Sequence, residues 1–468
     1  MINIRHRGLA VAVCTMSTFI INIDTTAYQV ALTQIRDTLP ATFAQGQWIL
    51  NGFILTLAAL YFIAGALGDR FNKRSLLVAG LVVYIAGSLI TALSPNAIAL
   101  IAARVVAGVG ASILVPVGLA MVRVFARSSR ELQQFTGAWG AVVGLGMACG
   151  PLAGGFISGA MGWRMLPLAT ALLAGVFAVL AIALLPSTPA HDSPSQDWTG
   201  IAALGAVMFG VIGGFIAVGQ RHLMAAGGLF VAVTMVLACL LFRRRRSGRF
   251  PVPEQACQSR EFRAAMSVAV GNYICVGGSI FLLATGYFQG TQHLSVLAAG
   301  AALVPLAAGY AVGARISPIV MGRFGPFQAV VAAGLLMLAS SVAVAVLVGM
   351  GAPTALVSAV AATLGAGMGM ANTPTNTLAM SELPVAYAGA SGAFVSTARQ
   401  VGQAMGIAVC GAGSALAASA HLPAALPWIG VVIAAAALTL TGTRCLSSQL
   451  AGDRIIVAAL GRRTVVNA

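Results

Sequence analysis

Between residues 8 and 442 the chain is a succession of long, unbroken apolar runs, and few architectures accommodate that pattern. Fourteen runs can be marked, at about 8–32, 46–68, 76–94, 97–121, 135–159, 165–186, 199–219, 223–242, 264–288, 297–320, 327–349, 354–378, 390–417 and 424–442. Each approaches the ~20 residues that an α-helix needs to cross a bilayer. A membrane β-barrel would instead alternate apolar and polar residues in segments of ~10. Composition agrees, with 59% of the 468 residues hydrophobic and 8% charged; a soluble domain has about a quarter charged. Soluble enzymes, disordered chains and fibrous proteins are thereby excluded. The expectation is an all-α membrane protein of fourteen transmembrane helices with both termini cytoplasmic.

The charge is +16, from 26 Lys+Arg against 10 Asp+Glu. In a soluble protein that balance would suggest nucleic acid. Here the cations sit between apolar runs, so topology explains them and no nucleic acid partner is expected. Arg5, Arg7, Arg70, Lys73, Arg74, Arg123, Arg127, Arg130, Arg243 to Arg246 and Arg323 share one face with Arg444, Arg454, Arg462 and Arg463; little beyond Arg36, Arg164 and Arg221 lies on the other. The positive-inside rule makes the crowded face cytoplasmic. The first 22 residues look like a signal peptide but run on without an Ala-x-Ala site, so they read as a retained first helix. Seven scattered cysteines without a CxxC pair do not form a disulfide framework.

Two cytoplasmic connections organise the chain. Residues 187–197 are polar and Pro/Ser-rich, and 243–263 open with four arginines. They bracket a helix pair between two blocks of six. The expected division is a six-helix bundle over 1–190, two inserted helices over 191–250, a second six-helix bundle over 251–445 and a basic cytoplasmic tail over 446–468.

Two charges look deep in the bilayer, Asp24 in the first run and Arg104 in the fourth. Intramembrane charges are costly and by default functional. Asp24 lies 16 residues past the cytoplasmic start of its run, or ~24 Å, and Arg104 lies ~10 Å from the outer side. In a core of about 30 Å both fall in the outer half and can be neighbours. Burial favours the neutral form of a carboxylate and a nearby guanidinium the charged form. A carboxylate balanced in that way can load and release a proton. A static ion pair fixing helix packing is the alternative.

The neighbouring residues resemble a known family. Gly65-Ala-Leu-Gly-Asp69-Arg70-Phe-Asn-Lys73-Arg74 is similar to motif A of the major facilitator superfamily, with Asn72 where a second Gly is usual. Arg104-Val-Val-Ala-Gly108-Val-Gly110 resembles motif B, with Ala107 for Gln. Gly146-Met-Ala-Cys-Gly150-Pro151-Leu-Ala-Gly154-Gly155 resembles motif C, which marks the superfamily's antiporters. Ile23-Asp24-Thr25-Thr26-Ala-Tyr28-Gln29-Val-Ala-Leu32 is similar to the first-helix signature of the fourteen-helix drug:proton antiporters, with Gln29 for Asn and Thr33 for Pro. Tyr287-Phe-Gln289 and the stretch Gly389 to Gly406, with Arg399-Gln400, extend the likeness over about residues 10–445.

The resemblance implies two six-helix bundles plus two inserted helices, working as a multidrug efflux permease. It implies a cytoplasmic gate of Gly65, Asp69, Arg70, Lys73, Arg74 and Arg123, with Asp69 facing the start of the thirteenth helix near Gly389 to Gly392. An acid at that place can meet the positive end of a helix. The cations alone are also explained by topology. Gly146, Gly150 and Gly154, and the further step from Gly155 to Gly159, line helix faces that allow close approach, while Pro151 can bend the helix. Their expected role is a seal between the bundles.

Candidate cavity residues are Tyr28, Gln29, Asn51, Asn272, Tyr273, Gln289, Asn372, Asn376 and Gln403. A mainly apolar pocket with a few polar groups suits amphiphilic compounds. Each side chain alone is better accounted for by a helix–helix hydrogen bond than by a substrate contact. The five histidines, at 6, 191, 222, 293 and 421, map to loops or helix ends and are given no relay or metal role. No GxxxxGK[ST] loop occurs, so the expected energy source is a proton gradient, without ATP, cofactor or metal.

The expected function is proton-coupled export of amphiphilic drugs or toxic small molecules from the cytoplasm. The alternative is dedicated export of a single metabolite or antibiotic. A membrane enzyme would need a cluster of His, Asp or Glu near an interface, and a channel a ring of charges or a filter loop; neither pattern occurs. Expected partners are the small-molecule substrate, protons and the bilayer of the cell inner membrane; an accessory export protein is left open.

Overall fold

The computed structural model describes residues 7–187, scattered positions between 203 and 214, and residues 224–246, 259–381, 388–420, 423, 425–441 and 443–444. Among these residues the regular structure is helical throughout. A bilayer offers no water to unpaired backbone groups, so helices, which satisfy their own, are the natural solution for such a sequence.

The first six helices are α1 (Arg7–Thr38), α2 (Phe43–Arg70), α3 (Lys73–Leu93), α4 (Ala97–Phe125), α5 (Ser129–Met161) and α6 (Met165–Leu184). Helix α7 (Met224–Arg246) follows. The remainder are α8 (Arg260–Phe281), which continues as a π-helix over Leu282–Thr291, α9 (Val296–Ala302), α10 (Val304–Phe324), α11 (Pro326–Gly349), α12 (Thr354–Met370), α13 (Asn372–Ser381), α14 (Ala388–Ser419) and α15 (Leu426–Thr441). Eleven helices among the described residues are long and apolar enough to cross a membrane; two shorter apolar stretches are Val231–Leu240 and Leu426–Thr441. Thirteen of the fourteen runs marked in the sequence coincide with these helices, and the run at 199–219 lies largely outside the described residues.

Local chemistry sets the helix ends. Thr42 and Gln45 form a reciprocal capping box at the start of α2, satisfying two of the donors a helix leaves open. Asn72 accepts from the backbone N–H groups of Arg74 and Ser75. Its place in the motif A-like stretch is therefore that of an N-cap, a position that Asn fills well. Ser128, Ser259 and Ser295 cap α5, α8 and α9 in the same manner. Gly162 and Gly325 take φ of 87° and 94° at helix ends, in the left-handed region that favours glycine.

Helices α1 to α6 pack on one another, chiefly α1 on α5, α2 and α3 on α4, and α3 on α6. In the second group α8 packs on α14, and α12 on α10 and α11. The two groups meet where α2 runs along α14 and where α5 meets α9 and α10. Between 231 and 242, α7 exposes Val231, Val233, Met235, Val236, Leu240 and Phe242, as expected for a helix that faces lipid.

Candidate functional site

Helices α1 to α4 converge on one buried ion pair. Arg104 of α4 donates from Nη1 to Asp24 Oδ2 of α1 at 2.6 Å, and the two side chains are 2% and 1% exposed. Tyr84 of α3 donates to the other carboxylate oxygen at 3.2 Å. The guanidinium lies between two aromatic faces, 3.9 Å from the Tyr28 ring centre and 4.2 Å from that of Phe53 on α2. Ring faces attract a cation, most strongly where water is excluded. Arg104 is thus held by the rings as well as by Asp24. The depth arithmetic places both charges at one level, and the structure puts them in contact.

The same helices carry buried polar groups without a hydrogen-bond partner in the protein. The Tyr28 hydroxyl, both amide atoms of Gln29, both of Asn51, Gln47 Nε2 and Arg104 Nε are buried and make no hydrogen bond. In folded proteins the large majority of buried polar atoms have a protein or water partner.

The second group of helices carries a feature that sequence reading missed. Arg399 of α14 is 6% exposed and donates from Nη2 to Asn372 Oδ1 at 2.7 Å and Asn376 Oδ1 at 2.9 Å. Asn372 in turn donates to the Tyr310 hydroxyl at 2.6 Å, and the guanidinium stands 5.6 Å from the Tyr273 ring centre. The expectation of only two deep charges is thus corrected: Arg399 is a third buried charge among the described residues. The signal was present: Arg399 lies eleven residues inside α14, or ~16 Å from its start. Its sequence neighbours mark a motif, whereas its depth emerges only from counting along the helix.

The remaining cavity candidates divide. Asn272 donates to the Met368 carbonyl at 3.1 Å and Gln289 to the Val30 carbonyl at 2.9 Å, both serving as helix–helix bonds. Tyr273 approaches Met147 of α5, and Gln403 is buried on α14.

The motif A-like stretch is only partly described. Arg70 is exposed, with its guanidinium 6.0 Å from the Phe71 ring centre. Arg74 donates to the Ile182 carbonyl in the last turn of α6, where a cation suits the helix dipole. That contact lies within the first group of helices. Gly65 has open space around it, and the side chains of Asp69 and Arg123 lie outside the described residues, as do those of 389–392.

The glycines of α5 sort onto two faces. A Cβ at Gly146 would fall 2.8 Å from Asn22 Cβ, at Gly154 2.6 Å from the Ala27 carbonyl oxygen, and at Gly150 into Thr26. These three lock α5 onto α1 within one bundle, so they do not form the expected seal. Gly155 and Gly159 instead face α9, with a Cβ at Gly155 falling 3.1 Å from Gly300 Cα and one at Gly159 falling 3.2 Å from Leu297 Cβ. The close approach between bundles belongs to this second pair. Pro151 sits buried within α5.

Comparison with known proteins agrees with this architecture. The family model described as Major Facilitator Superfamily matches residues 14–201 and 198–407. A tetracenomycin C resistance and export protein of Streptomyces glaucescens is 31% identical over 410 residues, covering 86% of this chain and 74% of that protein. A methylenomycin A resistance protein of Bacillus subtilis is 26% identical over 411 residues, covering 86% and 87%. The drug efflux pump JefA of Mycobacterium tuberculosis is 26% identical over 437 residues, covering 90% and 82%. The crystal structure of an auto-inhibited peptide transporter of the POT family superposes with a TM-score of 0.64 at 14% identity, over 94% of this chain and 96% of that one, and so shares the fold. The chain therefore belongs to the major facilitator superfamily and is a multi-pass membrane transporter.

Proposed function

We propose that this transporter exports amphiphilic small molecules from the cytoplasm in exchange for protons, with Asp24 carrying the proton and Arg104 as its partner. One observation carries the reading. Asp24 is the one buried carboxylate among the described residues, and it sits in a charged hydrogen-bonded cluster at the meeting point of four helices. A charge inside the membrane is costly and by default functional. A proton entering from outside would neutralise Asp24 and weaken its hold on Arg104, which the Tyr28 and Phe53 rings keep in position. Release of that proton to the cytoplasm would restore the pair. The two bundles, over 1–190 and 251–445, would rock about this centre while 191–250 supplies the inserted helices. Asp69, Arg70, Lys73, Arg74 and Arg123 would act at the cytoplasmic end, and no ATP, cofactor or metal enters the cycle.

The relatives' names support export of antibiotics and drugs. Two of them are named for a single antibiotic, which favours a narrower version, dedicated export of one compound. The test is dye- or drug-induced collapse of an imposed pH gradient in inside-out vesicles. Collapse with wild type and its loss in Asp24→Asn is the expected result. Equal collapse in both would make Asp24 structural. A response to one compound class alone, among unrelated amphiphiles, would select the dedicated exporter.

A further inference from the structure

The second bundle holds a buried cation with no ion-pair partner among the described residues. Arg399 is nearly enclosed, and the groups it touches are the amide oxygens of Asn372 and Asn376 and the face of Tyr273. Among the described residues no carboxylate pairs with it; the ion pairs there are Arg7–Glu131 and Arg104–Asp24. Its Nε is buried and makes no hydrogen bond. Guanidinium presents a fork of donors suited to carboxylate, phosphate or phenolate oxygens. Amide oxygens hold that fork in place without cancelling its charge.

The position is as informative as the chemistry. Next to Arg399, Gln400 reaches the Tyr61 hydroxyl of α2 at 3.4 Å, and Thr397 donates to the Ala58 carbonyl at 3.5 Å. Tyr273 approaches Met147 of α5 at 4.0 Å, and a Cβ at Gly144 of the same helix would lie 3.5 Å from the Tyr310 ring. The cluster therefore lies where the second bundle abuts the first, along the surfaces that must part for a cargo to enter. The buried charges among the described residues are one carboxylate and two guanidiniums, a positive balance even with Asp24 ionised.

We infer that the Arg399–Asn372–Asn376 cluster is a cargo-binding subsite for an anionic oxygen group, a carboxylate or phenolate on an otherwise apolar molecule. The Tyr273 and Tyr310 rings offer apolar surface beside it. This rests on the export reading and names its substrate class. A cationic amphiphile meets repulsion at the same place.

The test measures binding apart from transport. Wild type, Arg399→Gln, Arg399→Lys and Asn376→Ala would be placed in nanodiscs of zwitterionic lipid and titrated with pyrenebutyrate and with pyrenebutyl-trimethylammonium. Empty discs correct for partitioning, and monodispersity on gel filtration checks folding. Wild type should bind the anion more tightly than the cation. Arg399→Gln should weaken the anion by about tenfold to a hundredfold and narrow or invert the preference, with Arg399→Lys retaining part of it. Equal or tighter binding of the cation by wild type, binding of neither probe, or an anion affinity unmoved in Arg399→Gln overturns the subsite. Should Arg399→Gln fail to fold, a loss of anion preference in Asn376→Ala and a partial loss in Arg399→Lys support the subsite; unchanged preference in both overturns it. Arg399-dependent binding without proton-linked export in vesicles would keep the subsite and remove the export reading.

Discussion

The two bundles treat a buried guanidinium in opposite ways. In the first, Arg104 faces a carboxylate at 2.6 Å, so the site's net charge depends on one proton. In the second, Arg399 faces two neutral amides, so its charge is permanent. A paired charge is a switch, because protonating one partner changes what the other feels. An amide-held charge is a fixture and can only select what approaches it. Under the proposed export cycle, the comparison divides labour between coupling on one side and recognition on the other.

The strongest way to break that comparison is Arg104→Met. It leaves Asp24 buried without its cation, which costs about 3–5 kcal/mol. The purified variant should melt far below wild type, and adding Asp24→Asn should recover much of the loss. Equal melting of the single and double variants would show that the pair is not coupled. Arg399→Met should cost less, about 1–3 kcal/mol, because it strands only two amide oxygens. Neutralising Asp24 should not rescue it. A larger loss than that of Arg104→Met would reverse the comparison.

Glycines sharpen it at a third place. Gly150→Ala presses into Thr26 inside one bundle and should destabilise by about 1–3 kcal/mol. Gly155→Leu presses on α9 of the other bundle and should instead raise passive proton leak in proteoliposomes. Leak from both variants alike would mean that the two faces are not separate.

The smallest expected effect is where the start of α1 meets the start of α5. Arg7 donates to both Glu131 oxygens, at 3.1 and 2.6 Å, and to the Phe125 carbonyl. Those bonds, with one from the Arg127 backbone, hold the Glu131 carboxyl below its ordinary 4.5. A lowered carboxyl contributes stability above its unfolded value and loses it as pH falls through the folded one. Wild type should therefore melt slightly above Arg7→Gln at neutral pH, with the gap closing below about pH 4.5. A gap constant with pH would mean that the contact is not ionic.

Helices and the Asp24–Arg104 pair were legible because both follow from length and hydropathy, which a single sequence carries. Arg399 was missed because its neighbours in sequence suggested a motif, while its depth becomes evident only when counted along the helix. Polar candidates resisted separation for a different reason. Asn272 meets a carbonyl 96 residues away and Gln289 one 259 residues away, and no periodicity encodes which amide finds such a partner. The glycine stripe was visible as close packing. Which helix it packs against depends on a rotation of about one residue, the step between Gly154 and Gly155.

That Asp24 is the one buried carboxylate among the described residues also bears on energetics at the scale of the cell. If Asp24 alone carries protons, each cycle admits one. Exchanging that proton for a neutral cargo moves one net charge inward, for a monovalent cation none, and for a monovalent anion two. Each charge crossing the membrane is worth about 2.3 kcal/mol per 100 mV. An exporter of anions built on this core would thus draw on voltage twice over and could concentrate its cargo outside even where the pH gradient vanishes.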